Sequence, residues 1–324
     1  MPFERETIKR TLAWLAAHGV FIGTSSWKYP GWRGMLYDEQ RYMYRGKLAE
    51  SRFEKNCLSE YAEVFQTVCV DAGYYRFPDP RSIEGMVSQV PPGFLFTFKV
   101  TDEITLRRFT NLPRFGDRAG QANENFLNAD LFASAFVKPF EPFAPHVGLF
   151  IFEFSKFYPS DYQRGRDFLA DLDRFLGGIP KGWRYGVEIR NEHFLKPDYF
   201  AVLARHGVAH VFNAWSGMPP VSEQLSLPDS LPNPEFAGAR FLLKPGRKYQ
   251  EAVDLFSPYD RIQEPYPEAR AAGVELINWV LAKQALRKLF IYVNNRLEGN
   301  ALLTIVAMLE ASAGVAETPP PKLA

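Results

Sequence analysis

Tyr185-Gly-Val-Glu-Ile-Arg190 is a short apolar run that ends on charged residues where a loop begins, and Val147-Gly-Leu-Phe-Ile-Phe-Glu-Phe154 has the same character. Eight such runs occur along the chain, and a helical pattern follows most of them. The runs cover residues 20–26, 67–73, 94–100, 147–154, 185–190, 209–215, 240–245 and 289–295. This alternation predicts an α/β fold, a single (β/α)8 barrel (TIM barrel), in which the C-terminal strand ends form the active site.

The composition agrees with one large enzyme-sized domain. The chain has 324 residues, of which 46% are hydrophobic, and one barrel of about 250 residues with insertions accounts for this length. A net charge of +1 argues against a global attraction to nucleic acid or to an anionic membrane. The two cysteines, Cys57 and Cys69, indicate a reducing compartment, and no run reaches the ~18 apolar residues of a membrane span. We therefore expect a cytoplasmic protein without a membrane partner; the sequence does not indicate an oligomeric state.

The chain divides into three predicted parts. Residues 1–19 form an extra N-terminal helix ended by Gly19, residues 20–315 form the barrel, and residues 316–324 form a disordered tail. Ser51 and Glu54 have the spacing of a capping box at the first crossover helix, and Asp79 with Pro80 begins the second. Further helices are predicted at 125–137, 160–176, 197–206 and 267–286, a short one within 218–234, a long loop over 246–265, and a last helix capped by Asn300.

Alternation along the strands separates the residues that face the helices from those inside the barrel. In the fifth strand Val187 and Ile189 must face the helices, which leaves Glu188 and Arg190 pointing inward. The same argument applied to the other strands predicts a ring of polar side chains at the mouth of the barrel. Its members are Asp71, Lys99, Glu153, Glu188, Arg190, Asn213, Lys244 and Asn294.

This ring must pair its charges, because an unpaired buried ion costs several kcal/mol. Three acids and three bases can pair, so the ring is either a salt-bridged plug or a functional pocket. Barrel interiors are normally filled with Val, Ile and Leu, which favours the pocket. In it, Glu188 beside Arg190 is the first choice for a general acid or base, and Lys99 and Asp71 are the other catalytic candidates.

The loops after the seventh and eighth strands have the composition of a phosphate site. Residues 244–248 are basic and turn-forming, and residues 294–300 lead into a helix N-terminus, where many barrels bind phosphate. Ordinary turn chemistry explains the same residues equally well. An aromatic group after the first, second and sixth strands offers either a binding wall or a hydrophobic lid. It consists of Trp27, Tyr29, Trp32, Tyr74, Tyr75 and Trp215.

The sequence offers few of the residues that more specific reaction types would require. Of the five histidines only His193 lies near the mouth, so neither a metal nor another cofactor is expected. Glu153 could serve a retaining glycosidase, but the seventh strand offers Lys244 where the second carboxylate would stand. A Schiff base at Lys99 or Lys244 stays open, although neither lysine has the apolar surroundings that lower a lysine pKa.

Several ordered motifs resemble the YecE-like family, the domain of unknown function numbered 72, over residues 21–310. They are Ile22-Gly-Thr-Ser-Ser-Trp-Lys-Tyr-Pro-Gly-Trp32, Thr67-Val-Cys-Val-Asp-Ala-Gly-Tyr-Tyr-Arg-Phe-Pro78, Phe98-Lys99, Gly186-Val-Glu-Ile-Arg190 and Val293-Asn-Asn-Arg-Leu-Glu-Gly-Asn300. The resemblance implies a TIM barrel of unestablished activity. It also implies that family positions are occupied by Trp27, Trp32, Tyr75, Arg76, Lys99, Glu188, Arg190, Asn294 and Asn295.

The chain departs from the family pattern at three places. Cys69 and Asp71 stand where family members commonly have an acid and an amide, and Asn191 stands where a His follows the Glu-x-Arg motif. Leu106 occupies a position that is often His. These changes remove candidate acid, base and metal-binding groups and indicate a subgroup with an altered ligand.

Two functions of different class remain open. One is an enzyme that acts on an anionic, phosphate-bearing small molecule, with Arg190, Trp27, Tyr75, Arg76, Asn213, Lys244, Asn294 and Asn295 as substrate-binding residues. The other is a barrel that binds such a ligand without reaction. Processing of nucleic acid is a weaker third reading, supported by fold analogy and by the short basic stretches 106–108 and 246–248.

Overall fold

A computed structural model describes residues 3–282 and 286–316 of the chain. Eight parallel strands form one sheet that is rolled into a barrel, which confirms the predicted fold. The strands are β1 (Val20–Thr24), β2 (Thr67–Val70), β3 (Leu95–Lys99), β4 (Val147–Phe154), β5 (Tyr185–Ile189), β6 (Ala209–Ala214), β7 (Ala237–Phe241) and β8 (Leu289–Val293). They pair in chain order from β2 to β8, and β8 pairs with β1.

Helices surround this sheet. They are α1 (Arg5–Ala17), α2 (Glu50–Tyr61), α3 (Pro80–Val87), α4 (Asp102–Thr105), α5 (Ala129–Leu131), α6 (Gly165–Gly178), α7 (Pro197–Arg205), α8 (Val221–Leu225), α9 (Tyr249–Phe256), α10 (Pro267–Leu281) and α11 (Ala301–Ala316). A π-helical turn, Phe132–Val137, and a 3-10 segment, Lys138–His146, continue α5 towards β4. A small hairpin pairs Met43–Tyr44 with Lys47–Leu48.

Several predicted helix ends are confirmed. Gly19 follows α1 with a φ of +90°, the left-handed geometry of a helix C-terminus. The carboxylate of Asp79 accepts a hydrogen bond from the Ser82 amide at the start of α3, and Asn300 accepts one from the Leu303 amide at the start of α11. The predicted tail, residues 316–324, lies outside the described residues except for Ala316, which ends α11.

Other predictions were wrong. The capping box at Ser51 is absent, because α2 begins at Glu50 and the residue before it, Ala49, has no side-chain oxygen to act as a cap. The loop predicted over residues 246–265 contains α9. The seventh strand was placed at 240–245 but runs from Ala237 to Phe241, and this shift decides which basic residue enters the barrel.

The barrel has an apolar layer below a charged layer. Leu149, Ile151, Val211, Phe290 and Tyr292 lie buried inside it and pack with Cys69. The outward residues of the strands join the helices in one large core, as alternation predicts for Val68, Phe96, Phe150, Val187 and Ile291. The apolar layer fills the lower part of the barrel. The charged side chains above it therefore form the floor of a pocket and do not line a channel through the barrel.

A side chain closes the sheet between β1 and β2. The Thr24 amide donates a hydrogen bond to the Tyr61 hydroxyl at 3.1 Å, and that hydroxyl lies 3.0 Å from the Thr67 carbonyl oxygen, to which it donates. The strands approach closely, since a Cβ atom on Gly23 would lie 2.2 Å from the Thr67 oxygen. Tyr61 of α2 therefore does between these strands what ladder hydrogen bonds do between the others.

Candidate functional site

Six charged side chains from five strands and their loops meet at the mouth of the barrel. Arg240 lies at the centre, where its Nη1 contacts Glu188 at 2.6 Å and Glu153 at 2.7 Å, and its Nη2 contacts Asp71 at 3.2 Å. Glu153 also accepts from Lys99 at 2.8 Å and from Arg190 at 2.7 Å. The predicted inward residues of β2 to β5 are thus brought together, with three acids against three bases.

The third base is Arg240 and not Lys244, which corrects the predicted ring. Because β7 ends at Phe241, Lys244 lies beyond the strand, half-buried, with its Nζ 5.4 Å from the centre of the Tyr266 ring. Arg240 is 2% exposed and occupies the next-to-last position of β7. A strand made of Ala237, Gly238 and Ala239 carries too few branched residues to be recognised by composition.

The network keeps Glu153 and Arg240 ionised although both are buried. Burial opposes the charge on Glu153, but Arg190, Lys99 and Arg240 hold the pKa of its carboxyl well below the ordinary value. Burial likewise opposes the charge on Arg240, and Glu188 and its acidic neighbours hold the pKa of that guanidinium well above its usual range. Burial raises the pKa of the nearby Cys69 thiol to about 12, so this cysteine stays a neutral thiol.

A cavity of about 470 Å³ opens above the network. Asp71, Lys99, Glu153, Arg190 and Arg240 form its floor. Its walls are largely aromatic and include Tyr29, Tyr74, Tyr75, Trp215 and Tyr249. The cavity is therefore polar below and aromatic around its rim, a common composition of small-molecule sites.

The carboxylates differ in their access to this cavity. Glu188 is fully buried, and its two oxygens accept hydrogen bonds from Arg190 and Arg240. The side chain of Asp71 is 34% exposed and has one basic contact, Arg240. Asp71 is the network carboxylate that an incoming molecule can reach most easily.

Two further arginines reach the cavity from loops. Arg114 pairs with the buried Asp102 at 2.5 Å, whereas Arg296, which follows β8, makes no ion pair among the described residues. The Arg296 guanidinium lies 4.5 Å from the centre of the Tyr249 ring, and its buried Nε has no hydrogen-bond partner in the described part of the chain. The sequence motif around Asn294 contained Arg296, but nothing in its spacing separated it from the neighbouring polar residues.

Asn213, Asn294 and Asn295 bind backbone instead of facing the cavity. Asn213 donates to the Ile189 carbonyl at 3.1 Å, and Asn294 accepts from the Arg296 amide at 3.0 Å. Asn295 accepts from the Ala301 amide at 2.7 Å. All three are buried and position the strand ends and the loop after β8.

The aromatic and basic residues after β1 and β2 divide between two cavities. Tyr75 lies at the mouth and is 62% exposed. Trp27, a buried residue, and Arg76, an exposed one, line a separate groove of about 380 Å³ between α2 and α3. Trp32 is fully buried in the core. The expected aromatic wall is therefore formed by Tyr29, Tyr74, Tyr75 and Trp215 together with Tyr249 from α9.

The helix N-terminus that follows β8 is already capped. The Ala301 amide donates to Asn295, and the Leu303 amide donates to Asn300. In the basic loop after β7, Arg247 forms ion pairs with Glu251 and Glu264. The two features that predicted a phosphate site are therefore engaged by the protein's own side chains, and Arg296 is the group left facing the cavity.

Within residues 3–282 and 286–316, no three His, Cys, Asp or Glu side chains lie together so that they could hold a metal ion. His193 lines a neighbouring cavity beside Glu192. None of the described helices is long and apolar enough to cross a membrane.

Comparison with known proteins identifies the family. The family model described as "Protein of unknown function DUF72" matches residues 21–323. The chain belongs to the DUF72 family. No curated protein gives a significant match to it.

Two solved structures of DUF72 family proteins have the same fold. One, from Enterococcus faecalis V583, is 16% identical with a TM-score of 0.62, over 91% of this chain and 95% of that one. The other, from Thermotoga maritima MSB8, is 19% identical with a TM-score of 0.57, over 93% of this chain and 100% of that one. At such identities the likeness shows the barrel fold alone.

Proposed function

We propose that the cavity at the barrel mouth binds an anionic small molecule that carries a phosphate group, and that Asp71 exchanges a proton with it. The observation that carries the proposal is the charge balance of the cavity. Its five lining cations, Lys99, Arg114, Arg190, Arg240 and Arg296, meet four carboxylates, Asp71, Asp102, Glu153 and Glu188. One positive charge is left over, and it belongs to Arg296.

A phosphate suits this surplus charge. Arginine presents its donors in a planar fork that matches phosphate oxygens, and Arg296 has a buried Nε without a partner in the described chain. A dianion held there would also lie near Lys99 and Arg190, whose side chains are 9% and 11% exposed at the cavity floor. The attraction is strengthened because the floor is shielded from water.

The aromatic rim supports a ligand with a flat or sugar-like part beside its phosphate. Trp215 stacks on Arg190 with the guanidinium 3.8 Å from the ring centre, and Tyr75 and Tyr249 leave ring faces open to solvent. Such faces bind sugars and bases by stacking. A bare inorganic anion would leave this part of the cavity empty.

We propose different roles for Glu188 and Asp71, the two carboxylates predicted from the sequence as catalytic candidates. Glu188 touches no part of the cavity and holds Arg190 and Arg240, so we assign it as a positioning residue. Asp71 is partly exposed and lies beside Arg240, which places a carboxylate within reach of a bound molecule. A general acid or base must first satisfy this condition of reach.

Binding is tested by titration calorimetry with inorganic phosphate and adenosine monophosphate. Arg296→Gln should weaken adenosine monophosphate binding about tenfold or more, because a hydrogen bond to a charged group is lost. Arg174→Gln is the matched control, since Arg174 is 79% exposed on α6 and does not line the cavity. If neither probe binds, or if both variants bind alike, the proposal is wrong.

The proton-exchange role is tested separately. Wild-type protein and Asp71→Asn are incubated with a mixture of phosphate esters, and the esters are followed by phosphorus NMR. Loss of an ester with wild-type protein but not with Asp71→Asn supports the role of Asp71. Binding without any conversion would remove the catalytic part of the proposal and leave a ligand-binding barrel.

A further inference from the structure

The exposed aromatic side chains of the molecule concentrate at the barrel mouth. Seven large hydrophobic residues are exposed in the described chain, and four of them line the mouth cavity or the one beside it. These four are Tyr75, Leu112, Tyr158 and Tyr249, exposed by 62%, 50%, 60% and 50%. Clustered apolar surface of this kind marks a place where something binds.

Each of the three tyrosines has a cation beside its ring. Arg114 lies 4.8 Å from the ring centre of Tyr75, and Arg296 lies 4.5 Å from that of Tyr249. The Nζ of Lys156 lies 5.9 Å from the centre of Tyr158. The same pair, an exposed tyrosine ring beside a positive charge, therefore occurs three times around the mouth.

Two further cavities adjoin the central one. A cavity of about 360 Å³ shares Leu106, Thr110 and Ser155 with it, and one of about 510 Å³ shares Arg190. Both outer cavities are lined by Lys156, so the three meet around the end of β4. Together the three cavities form one continuous surface that is larger than the central cavity alone.

The outer cavities add exposed positive charge. Arg107, Lys156 and Lys196 make no ion pair within the described chain. The acids that line these two cavities are Asp161, which pairs with Arg108 at 3.8 Å, and Glu192 and Glu223 in the larger one. The charge along the edge from Arg107 to Lys156 is therefore positive, while the net charge of the whole chain is only +1.

We propose that the mouth binds the end of a single-stranded nucleic acid, with the terminal nucleotide in the central cavity and the next nucleotides over Tyr158 and Lys156. This inference rests on the proposed phosphate-binding function and names its ligand class. Single strands alternate a phosphate with a flat base, and proteins bind them with a positive groove and stacking aromatic rings. A duplex hides its bases and could not use the three tyrosines.

The test is fluorescence anisotropy with labelled oligothymidylates, from a dinucleotide to an octanucleotide. Affinity should rise with length. Tyr158→Ala should weaken octanucleotide binding about fivefold or more, in line with the usual contribution of one stacked base, and leave mononucleotide binding unchanged. Tyr44→Ala is the matched control, because Tyr44 is 58% exposed, has Arg45 at 5.3 Å from its ring, and lines none of the three cavities.

The outer charges are tested by salt dependence. Lys156→Gln should reduce the slope of log affinity against log salt by about 0.7, since each phosphate contact on a single strand contributes roughly that amount. Arg174→Gln should leave the slope unchanged, because Arg174 lies outside these cavities. Heparin, a sulfated polyanion without bases, should compete poorly.

The outcomes separate the nucleic-acid inference from the proposed phosphate-binding function. If the wild-type protein does not bind adenosine monophosphate, both are wrong. Mononucleotide binding that depends on Arg296, with no gain in affinity from a longer strand or no effect of Tyr158→Ala, would overturn the nucleic-acid inference alone. Equal competition by heparin would replace it with a general polyanion surface.

Discussion

Arg240 is the residue on which the mouth of the barrel depends. It lies among Glu153, Glu188 and Asp71, and both terminal nitrogens of its guanidinium are used. Burying Glu153 and Glu188 is tolerable only when enough positive charge is buried with them. Arg240 also contacts Asp71, which lines the cavity, so the stability of the network and the proposed binding share one side chain.

Arg240→Met should destabilise the protein by about 3–5 kcal/mol, because it leaves buried carboxylates short of a partner while keeping much of the side-chain volume. Urea unfolding followed by circular dichroism measures the loss. Arg174→Met, on an exposed face of α6, should stay within about 0.5 kcal/mol of wild type. A similarly small change for Arg240→Met would show that the network contributes little to stability.

At this scale the sequence predicted the network well where alternation is strict. Phe150, Phe152 and Phe154 can face only the helices, which fixes Glu153 inside, and β5 follows the same logic for Glu188. Asn295 was harder, because an amide that caps a helix and an amide that binds a ligand look alike in a sequence. Its partner is the Ala301 amide at the start of α11, which only the folded geometry reveals.

At the scale of elements, β7 shows why a strand can be missed. Its interior positions must be small at the level of the apolar layer, since a Cβ atom on Gly238 would lie 3.1 Å from a methyl of Leu149. The run Ala237-Gly-Ala-Arg-Phe241 therefore lacks the branched residues by which strands are recognised. The more apolar Leu242 and Leu243 led to a predicted strand at 240–245. That error placed Lys244 inside the barrel in place of Arg240.

Tyr61→Phe should loosen the contact between β1 and β2. The hydroxyl bonds to the Thr24 amide and the Thr67 carbonyl, so its removal should cost about 1–3 kcal/mol and leave that buried amide without a partner. Hydrogen exchange followed by NMR should show faster exchange at Thr24. Tyr44→Phe, on the exposed hairpin, should change neither quantity. Unchanged protection at Thr24 would mean that packing alone holds these strands together.

On the scale of the whole molecule, α1 belongs to the barrel's core. Ile8, Leu12 and Leu15 are buried and belong to the same continuous core as the outward faces of the strands. Arg5 also bonds to Glu63, just after α2, at 2.5 Å. We therefore infer that the N-terminal helix and the barrel unfold as one unit.

Leu12→Ala should lower the stability of the entire protein by about 2–5 kcal/mol in a single transition, because it opens a cavity beneath the barrel wall. Calorimetric unfolding measures this. Leu255→Ala is the matched control, since Leu255 is 42% exposed on α9 and should lose far less. A separate early transition in Leu12→Ala would show instead that α1 unfolds independently of the barrel.

The tyrosine that joins β1 to β2 has a consequence for aggregation. A sheet closed by ladder hydrogen bonds all the way round has no edges. In this barrel β1 and β2 are joined instead through the Tyr61 hydroxyl. When the Tyr61 hydrogen bonds break, the edges of β1 and β2 both become available. Unpaired strand edges are the templates on which chains join into larger sheets. We therefore expect the Tyr61 hydroxyl to protect the molecule from association with its own copies on heating.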